Sequence, residues 1–313
     1  MALSGITLVT GGAGFIGSHI AEALVNRNEK VRIIDNLSTG HLENLEPIFA
    51  KIDFLRGDLT DEAMVRKAVD GVEIIFHEAA LPSVPRSVAD PRETHLACVD
   101  GTFNLLLAAK EKGVRRVIYA ASSSVYGDQP TLPKVESMRP EPLSPYAAAK
   151  LVGEYYCQVF TRTYGLETIC LRYFNIFGPR QDPSSPYSGV ISQFIDRLSK
   201  DASPIIYGDG EQTRDFTHIS NAVDANMLAA QTSRGIGEVI NIANAEQVTI
   251  NELFRLLREL TGRNEIEPEY QAARKGDILH SLADIGSATR LLGYQPKFGL
   301  RAGLEQTLAA YQI

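Results

Sequence analysis

The chain has 313 residues, 44% of them apolar and 22% charged, with a formal net charge of −7. A length beyond the roughly 100–200 residues of one ordinary domain leads us to expect a main domain and a smaller one. The acidic balance argues against a nucleic-acid partner or an anionic membrane surface, since both reward a basic face. No run of about 18 apolar residues marks a membrane span, and the N-terminus shows no basic leader with an apolar core and cleavage site. A cytoplasmic protein is expected. Cys98, Cys157 and Cys170 lack CxxC spacing and are too few for a disulfide framework, so they read as small core residues.

Short β-branched runs alternate with segments of helical period. Ile6-Thr7-Leu8-Val9 reads as a strand and is followed by a helix over 14–26. Val31-Arg32-Ile33-Ile34 and Asp53-Phe54-Leu55-Arg56 read as the next two strands. A helix near 61–69 precedes a strand at Glu73-Ile74-Ile75-Phe76, and a long helix over 91–112 precedes Val117-Ile118-Tyr119-Ala120-Ala121. A second long helix, 145–164, leads to Thr168-Ile169-Cys170-Leu171. Strands separated by helices imply right-handed crossovers and a parallel sheet covered on both faces. After Asn175 the rhythm changes: 179–188 is rich in Pro, Ser and Gly and reads as a loop, with later helices near 192–199, 221–231, 250–261 and 285–292. The expected fold is α/β, a doubly wound parallel sheet with a smaller C-terminal α/β lobe closing over its edge.

Gly11, Gly14 and Gly17 form GxxGxxG between the first strand and the first helix. Such a turn needs a tight bend, close backbone approach to a pyrophosphate, and close helix–sheet packing. The phosphates then meet the free N–H groups and positive end of the helix dipole. Asp35 ends the second strand, 21 residues after Gly14, where a carboxylate accepts ribose hydroxyls and repels a 2′-phosphate. Asn36 rather than arginine follows it, so NAD is favoured over NADP. Asp58, read as ending the third strand, is placed either to meet the adenine edge or to cap a turn. The sheet is thus expected to be Rossmann-like.

Tyr146 and Lys150 lie four residues apart on an expected helix and project from one face. A free phenol, with a pKa of about 10, is a poor base at neutral pH, and a neighbouring positive charge favours phenolate. Ser122 stands at the C-terminal end of the fifth strand, the edge where ligands of such sheets bind, and its hydroxyl can hold the same substrate oxygen.

The segments TGGAGFIGSH, DNLSTG, GDL, HEAA, SSSVYGD, SPYAAAK, LRYFNIFGPRQ, GDGEQTRDF and GDILHSLADI run from Thr10 to Ile285. Together they make the chain similar to the extended short-chain dehydrogenases/reductases and, within them, to UDP-sugar 4-epimerases. The resemblance implies reversible oxidation at C4 of the sugar through a transient 4-keto sugar, with Tyr146, Lys150, Ser122 and Ser123 catalytic and no metal. It implies that Phe15, Ile16, Ser38, Gly40, Leu59, Ala79, Ala80 and Tyr173 join Gly11, Gly14, Gly17, Asp35, Asn36, Asp58, Tyr146 and Lys150 around NAD. It places Arg214, Arg274 and Asn175 on the UDP pyrophosphate, Tyr207 on uracil, Asp277 on ribose, and Val190, Ser83 and Arg86 on the nucleotide sugar. Domain limits of 1–174 plus about 215–242 for NAD, and about 175–214 and 243–313 for the nucleotide sugar, follow the same likeness.

Ser281 matches a gate position that is bulky in epimerases restricted to plain hexoses, so an N-acetyl group at C2 should fit. The stretch from Ala80 to Ser87 resembles the subgroup favouring UDP-N-acetylglucosamine, and Pro82 replaces the plain-hexose enzymes' lysine. Cys98 departs from the family, which often has asparagine there. Dehydratases and decarboxylases of this family carry acidic residues after the fifth strand, whereas Ser122-Ser123-Ser124 offers hydroxyls. A UDP-glucuronate 4-epimerase stays open, because Arg86 could receive a carboxylate, and a non-catalytic NAD sensor or scaffold is the alternative of another class. A homodimer through the helices near 91–112 and 145–164 is expected.

Overall fold

The computed structural model describes residues 5–182, 189–273 and 279–312. Seven strands form one sheet, every pair parallel, in the order Val239–Ile242 (β11), Glu167–Tyr173 (β6), Arg116–Ser122 (β5), Val72–His77 (β4), Ile6–Thr10 (β1), Lys30–Asp35 (β2) and Ile52–Arg56 (β3). In chain order the first half runs β1 (Ile6–Thr10), α1 (Phe15–Val25), β2 (Lys30–Asp35), β3 (Ile52–Arg56), α2 (Glu62–Val69), β4 (Val72–His77), α3 (Val84–Ala89), α4 (Pro91–His95), α5 (Gly101–Lys112), β5 (Arg116–Ser122), α6 (Pro145–Tyr164) and β6 (Glu167–Tyr173). The order reverses at β1, whose neighbours are β2 on one side and β4 on the other. That divergence opens a crevice at the strands' C-terminal ends, the usual ligand site of doubly wound sheets. The fold is Rossmann-like, as expected.

Local chemistry accounts for the boundaries of the site-bearing helices. Ser144 caps α6 by accepting the Ala147 N–H at 3.2 Å, Pro145 occupies the first helical position, and Gly165 ends the helix in the left-handed region at φ 73°. Asp61 caps α2, accepting from Ala63 and Met64. The long helix expected over 91–112 is interrupted by a π-turn at Leu96–Asp100, a local widening that periodicity does not reveal. The third strand stops at Arg56, so Asp58 stands in the turn beyond it. A 3₁₀ segment at Leu42–Lys51 and the short α3 were not anticipated.

The second half runs β7 (Ile176–Phe177), α7 (Val190–Ser199), β8 (Ile205–Tyr207), β9 (Thr213–Arg214), β10 (Thr217–His218), α8 (Ile219–Gln231), β11 (Val239–Ile242), β12 (Val248–Thr249), α9 (Ile250–Thr261), β13 (Glu269–Gln271), α10 (Gly286–Leu292) and α11 (Leu300–Tyr311). The sequence reading missed α11 altogether. Two large apolar clusters sandwich the sheet, one under α1 and α8 and the other under α2, α5 and α6. A separate cluster joins α7, α9 and α11 through Phe194, Leu253, Phe254 and Leu304. Among the described residues no helix is long and apolar enough to cross a membrane.

Candidate active site

A cleft of about 980 Å³ lies along the C-terminal ends of the sheet strands. Its floor begins at the glycine turn. Gly11 has φ +65°, and a Cβ there would sit 2.7 Å from Ala79 Cα, so only glycine lets β1 and the segment after β4 approach this closely. A Cβ on Gly17 would meet the Gly11 carbonyl oxygen at 2.3 Å. Gly14 differs: its Cβ position meets only the Gly11 oxygen, at 3.1 Å, and no side chain caps α1. The first N–H groups of α1, on Phe15 and Ile16, therefore open on the cleft with room for an anion.

Asp35 is buried at the end of β2 and ties this turn together, accepting the Ala13 N–H at 2.9 Å and the Leu37 N–H at 2.8 Å. Burial pushes its carboxyl above the usual range, while those two N–H groups pull it back. Each oxygen keeps a lone pair for a ribose hydroxyl. Asn36 Nδ2 donates to Asp58 at 2.6 Å, and Thr60 donates to Asp58 through its N–H and hydroxyl. Burial opposes these hydrogen bonds, but their sum holds Asp58 below the usual carboxylate range. Asp58 thus caps a turn and also lines the cleft. Ser38, Leu59, Ala79 and Ala80 also line the cleft, and Gly40 packs against Ala13 and Asp35.

Tyr146, Lys150, Ser122 and Ser123 converge on the same space. Ser122 stands on the same cleft floor as Tyr146, and Ser122 Oγ lies 2.9 Å from Ser124 Oγ. Lys150 is buried and donates to the Ala120 carbonyl at 2.8 Å, its ammonium 5.0 Å from the centre of the Tyr119 ring. Burial dominates the chemistry of both groups. It raises the Tyr146 phenol despite Ser122, and it lowers the Lys150 ammonium despite Glu78. Burial thus opposes phenolate at Tyr146, and nearby positive charge is what works in the other direction.

Glu78 also faces this space, and the sequence reading gave it no role. The Tyr173 hydroxyl donates to Glu78 Oε1, and burial lifts the carboxyl to about 7 against the opposing influences of Tyr173 and Lys150. Ser124 was also missed, lying one residue beyond the pair selected.

A smaller cavity of about 210 Å³ adjoins the cleft; Asn175, Gly189 and Arg214 line both. Val190 and Tyr207 line the smaller one. Arg214 Nη1 donates to the Thr213 carbonyl at 2.9 Å, and Asn175 Nδ2 to the Asp215 carbonyl at 3.1 Å, which fixes both side chains at the junction. Ser83, Arg86 and Ser281 stand on the main cleft's wall. Ser83 caps α3, accepting the Arg86 N–H at 3.1 Å. Arg274 and Asp277 lie outside the described residues. Among those described, no group of three or more His, Cys, Asp or Glu side chains is arranged to hold a metal ion.

The chain belongs to the NAD dependent epimerase/dehydratase family, whose model matches residues 7–243. It is 39% identical over 303 residues to a putative UDP-glucose 4-epimerase of Methanocaldococcus jannaschii, with 96% of each chain covered. Among solved structures it is similar to a UDP-N-acetylglucosamine 4-epimerase from Methanobrevibacter ruminantium M1 in complex with UDP-N-acetylmuramic acid. That likeness has 41% identity and a TM-score of 0.94, and it covers 100% of this chain and 99% of the other. A UDP-glucose 4-epimerase from Thermotoga maritima with UDP-glucose matches at 38% identity and a TM-score of 0.94 over 98% of both chains. The chain is an NAD-dependent enzyme, and the open cradle at Gly14 with Asp35 beside it fits that cofactor.

Proposed function

We propose that the protein is an isomerase that inverts C4 of a UDP-hexose, UDP-glucose/UDP-galactose and also UDP-N-acetylglucosamine/UDP-N-acetylgalactosamine. The observation that carries this reading is the cluster at the cleft floor, where Tyr146, Lys150 and Ser122 line one space and the polar side chains of Ser122–Tyr126 are all hydroxyls. Redox at C4 needs one proton acceptor; elimination or decarboxylation needs further acid–base groups. Glu78, a carboxylate of the same cleft, is engaged by Tyr173.

Tyr146 takes the proton of the sugar 4-hydroxyl, and Ser122 holds that oxygen and relays the proton. NAD, when bound, supplies the reversible two-electron change at C4 and a positive ring charge that favours phenolate. Lys150 adds its own charge and fixes the cofactor's ribose. Gly11, Gly14 and Gly17 with Phe15 and Ile16 receive the cofactor's phosphates; Asp35, Asn36, Asp58 and their neighbours take its adenosine end. Arg214, Asn175 and the N-terminus of α7 at Val190 clamp the UDP diphosphate through charge-assisted hydrogen bonds. Tyr207 stacks on uracil in the smaller cavity. The lobe of about 175–214 and 243–313 thus holds the nucleotide sugar, and 1–174 with about 215–242 holds NAD.

The same reading includes a homodimer built on α5 and α6. Phe103, Tyr155 and Val159 are exposed along these helices and Leu96 in the π-turn leading into α5, apolar surface of the kind subunit interfaces cover. Sedimentation velocity at micromolar concentration should give a dimer; a monomer contradicts it.

Incubation with UDP-galactose and UDP-N-acetylgalactosamine, without added NAD, tests the activity by proton NMR of the anomeric signals. New C4-inverted products are expected from both. Absence of product, even after NAD is supplied, contradicts the reading.

A further inference from the structure

Arg86 stands on α3 and Glu93 on α4, and both side chains line the main cleft. Their pairing is bidentate: Arg86 Nε donates to Glu93 Oε2 at 3.0 Å, and Nη2 to Oε1 at 2.5 Å. A fork-to-fork pair fixes the guanidinium plane as well as its charge. Both residues are anchored at the backbone, since Ser83 accepts the Arg86 N–H and Asp90 accepts the Glu93 N–H. The side chains remain 31% and 43% exposed, so a ligand can reach them from the cleft.

An unpaired arginine on the sugar-facing wall would attract a carboxylate. Glu93 acts against this in two ways: it competes within the chain for the guanidinium, and it repels an arriving carboxylate. The wall is left close to electrically neutral. We propose that Glu93 is a positioning residue for substrate choice, holding Arg86 in an ion pair so that the cleft takes neutral hexoses and disfavours hexuronates. The inference rests on the UDP-sugar 4-epimerase reading and narrows it.

The test compares kcat and KM of the holoenzyme on UDP-galactose and UDP-glucuronate. In Glu93→Gln the amide still accepts from Arg86, so the α3–α4 contact survives while the negative charge is lost. The uronate-to-hexose ratio of kcat/KM should rise by about fivefold, mainly through KM for the uronate, the scale of a partly exposed ion pair. Arg86→Gln should move the ratio the opposite way, because it leaves the Glu93 charge facing the cleft. Adding Arg86→Gln to Glu93→Gln should cancel the gain. A purely structural contact would depress both substrates together, and an unchanged ratio overturns the proposal. A wild-type enzyme that prefers UDP-glucuronate overturns it as well. Absence of turnover with either sugar would instead strike the epimerase reading on which it stands.

Discussion

The Tyr173 phenol donates to Glu78 Oε1 at 2.9 Å and itself accepts from Asn226 Nδ2 at 2.7 Å. This chain of contacts joins the end of β6 to the residue following β4 and to α8, with Glu78 and Tyr173 on the cleft that holds Lys150 and Tyr146 and Asn226 buried behind them. It keeps a carboxyl beside the buried lysine without a direct ion pair between them among the described contacts.

Glu78 should leave a pH signature in stability. Its folded value of about 7 lies above the ordinary 4.5, mainly through burial. Between those values the native chain binds more protons than the unfolded one, so Glu78's contribution is full below about pH 4.5 and is lost as pH rises through 7. Glu78→Gln keeps an acceptor for Tyr173 and removes the titration. In urea denaturation of NAD-free protein, the variant should gain on wild type between pH 5 and pH 8 by on the order of 1–3 kcal/mol. An equal difference at both pH values would contradict this.

Tyr146→Phe should abolish epimerisation while leaving NAD retention largely intact, because the phenyl ring still fills its place beside Ser122. Cofactor content after gel filtration and turnover by NMR read the two effects separately. A rate close to wild type would remove Tyr146 from the mechanism.

Gly153 carries a different kind of constraint. A Cβ there would lie 2.1 Å from the hydroxyl of fully buried Tyr119, which sits beneath Lys150. Gly153→Ala must push α6 away from β5 and displace Lys150. A loss of about 1–3 kcal/mol in stability is expected from such overpacking. Activity should fall through kcat more than KM, since the nucleotide end of the cleft is untouched. Wild-type stability together with wild-type kcat would show that the helix does not need this approach.

Ser281 is 9% exposed on the cleft wall, its N–H donating to the Thr213 carbonyl at 3.2 Å. Ser281→Tyr should fill the space of an N-acetyl group. Steady-state kinetics should show at least a tenfold loss of kcat/KM on UDP-N-acetylgalactosamine relative to UDP-galactose, about 1.4 kcal/mol of discrimination. Equal losses on both sugars would contradict the gate.

Much of this architecture was legible because local chemistry and tertiary packing agree. Ser144, Pro145 and Gly165 state the limits of α6, and the three glycines state the turn after β1. What escaped depended on contacts between distant segments. The π-turn at Leu96–Asp100 places Cys98 and Thr102 over α6 and His77, which no periodicity announces. Glu78 reads as a strand-end residue until Tyr173, 95 positions away, is seen to donate to it. Arg86 reads as an open cation until Glu93 is seen across the α3–α4 turn. The Tyr146–Lys150 spacing was visible, but the burial that governs both groups was not.

The central claim is that C4 is oxidised and reduced within one closed site, and the fate of the hydrogen on C4 tests it most directly. UDP-galactose deuterated at C4 should be converted in ordinary water to a C4-inverted product that keeps its deuterium, because that hydrogen leaves and returns without meeting solvent. Loss of the label to water in the product would point to proton abstraction at carbon instead, and would contradict the account.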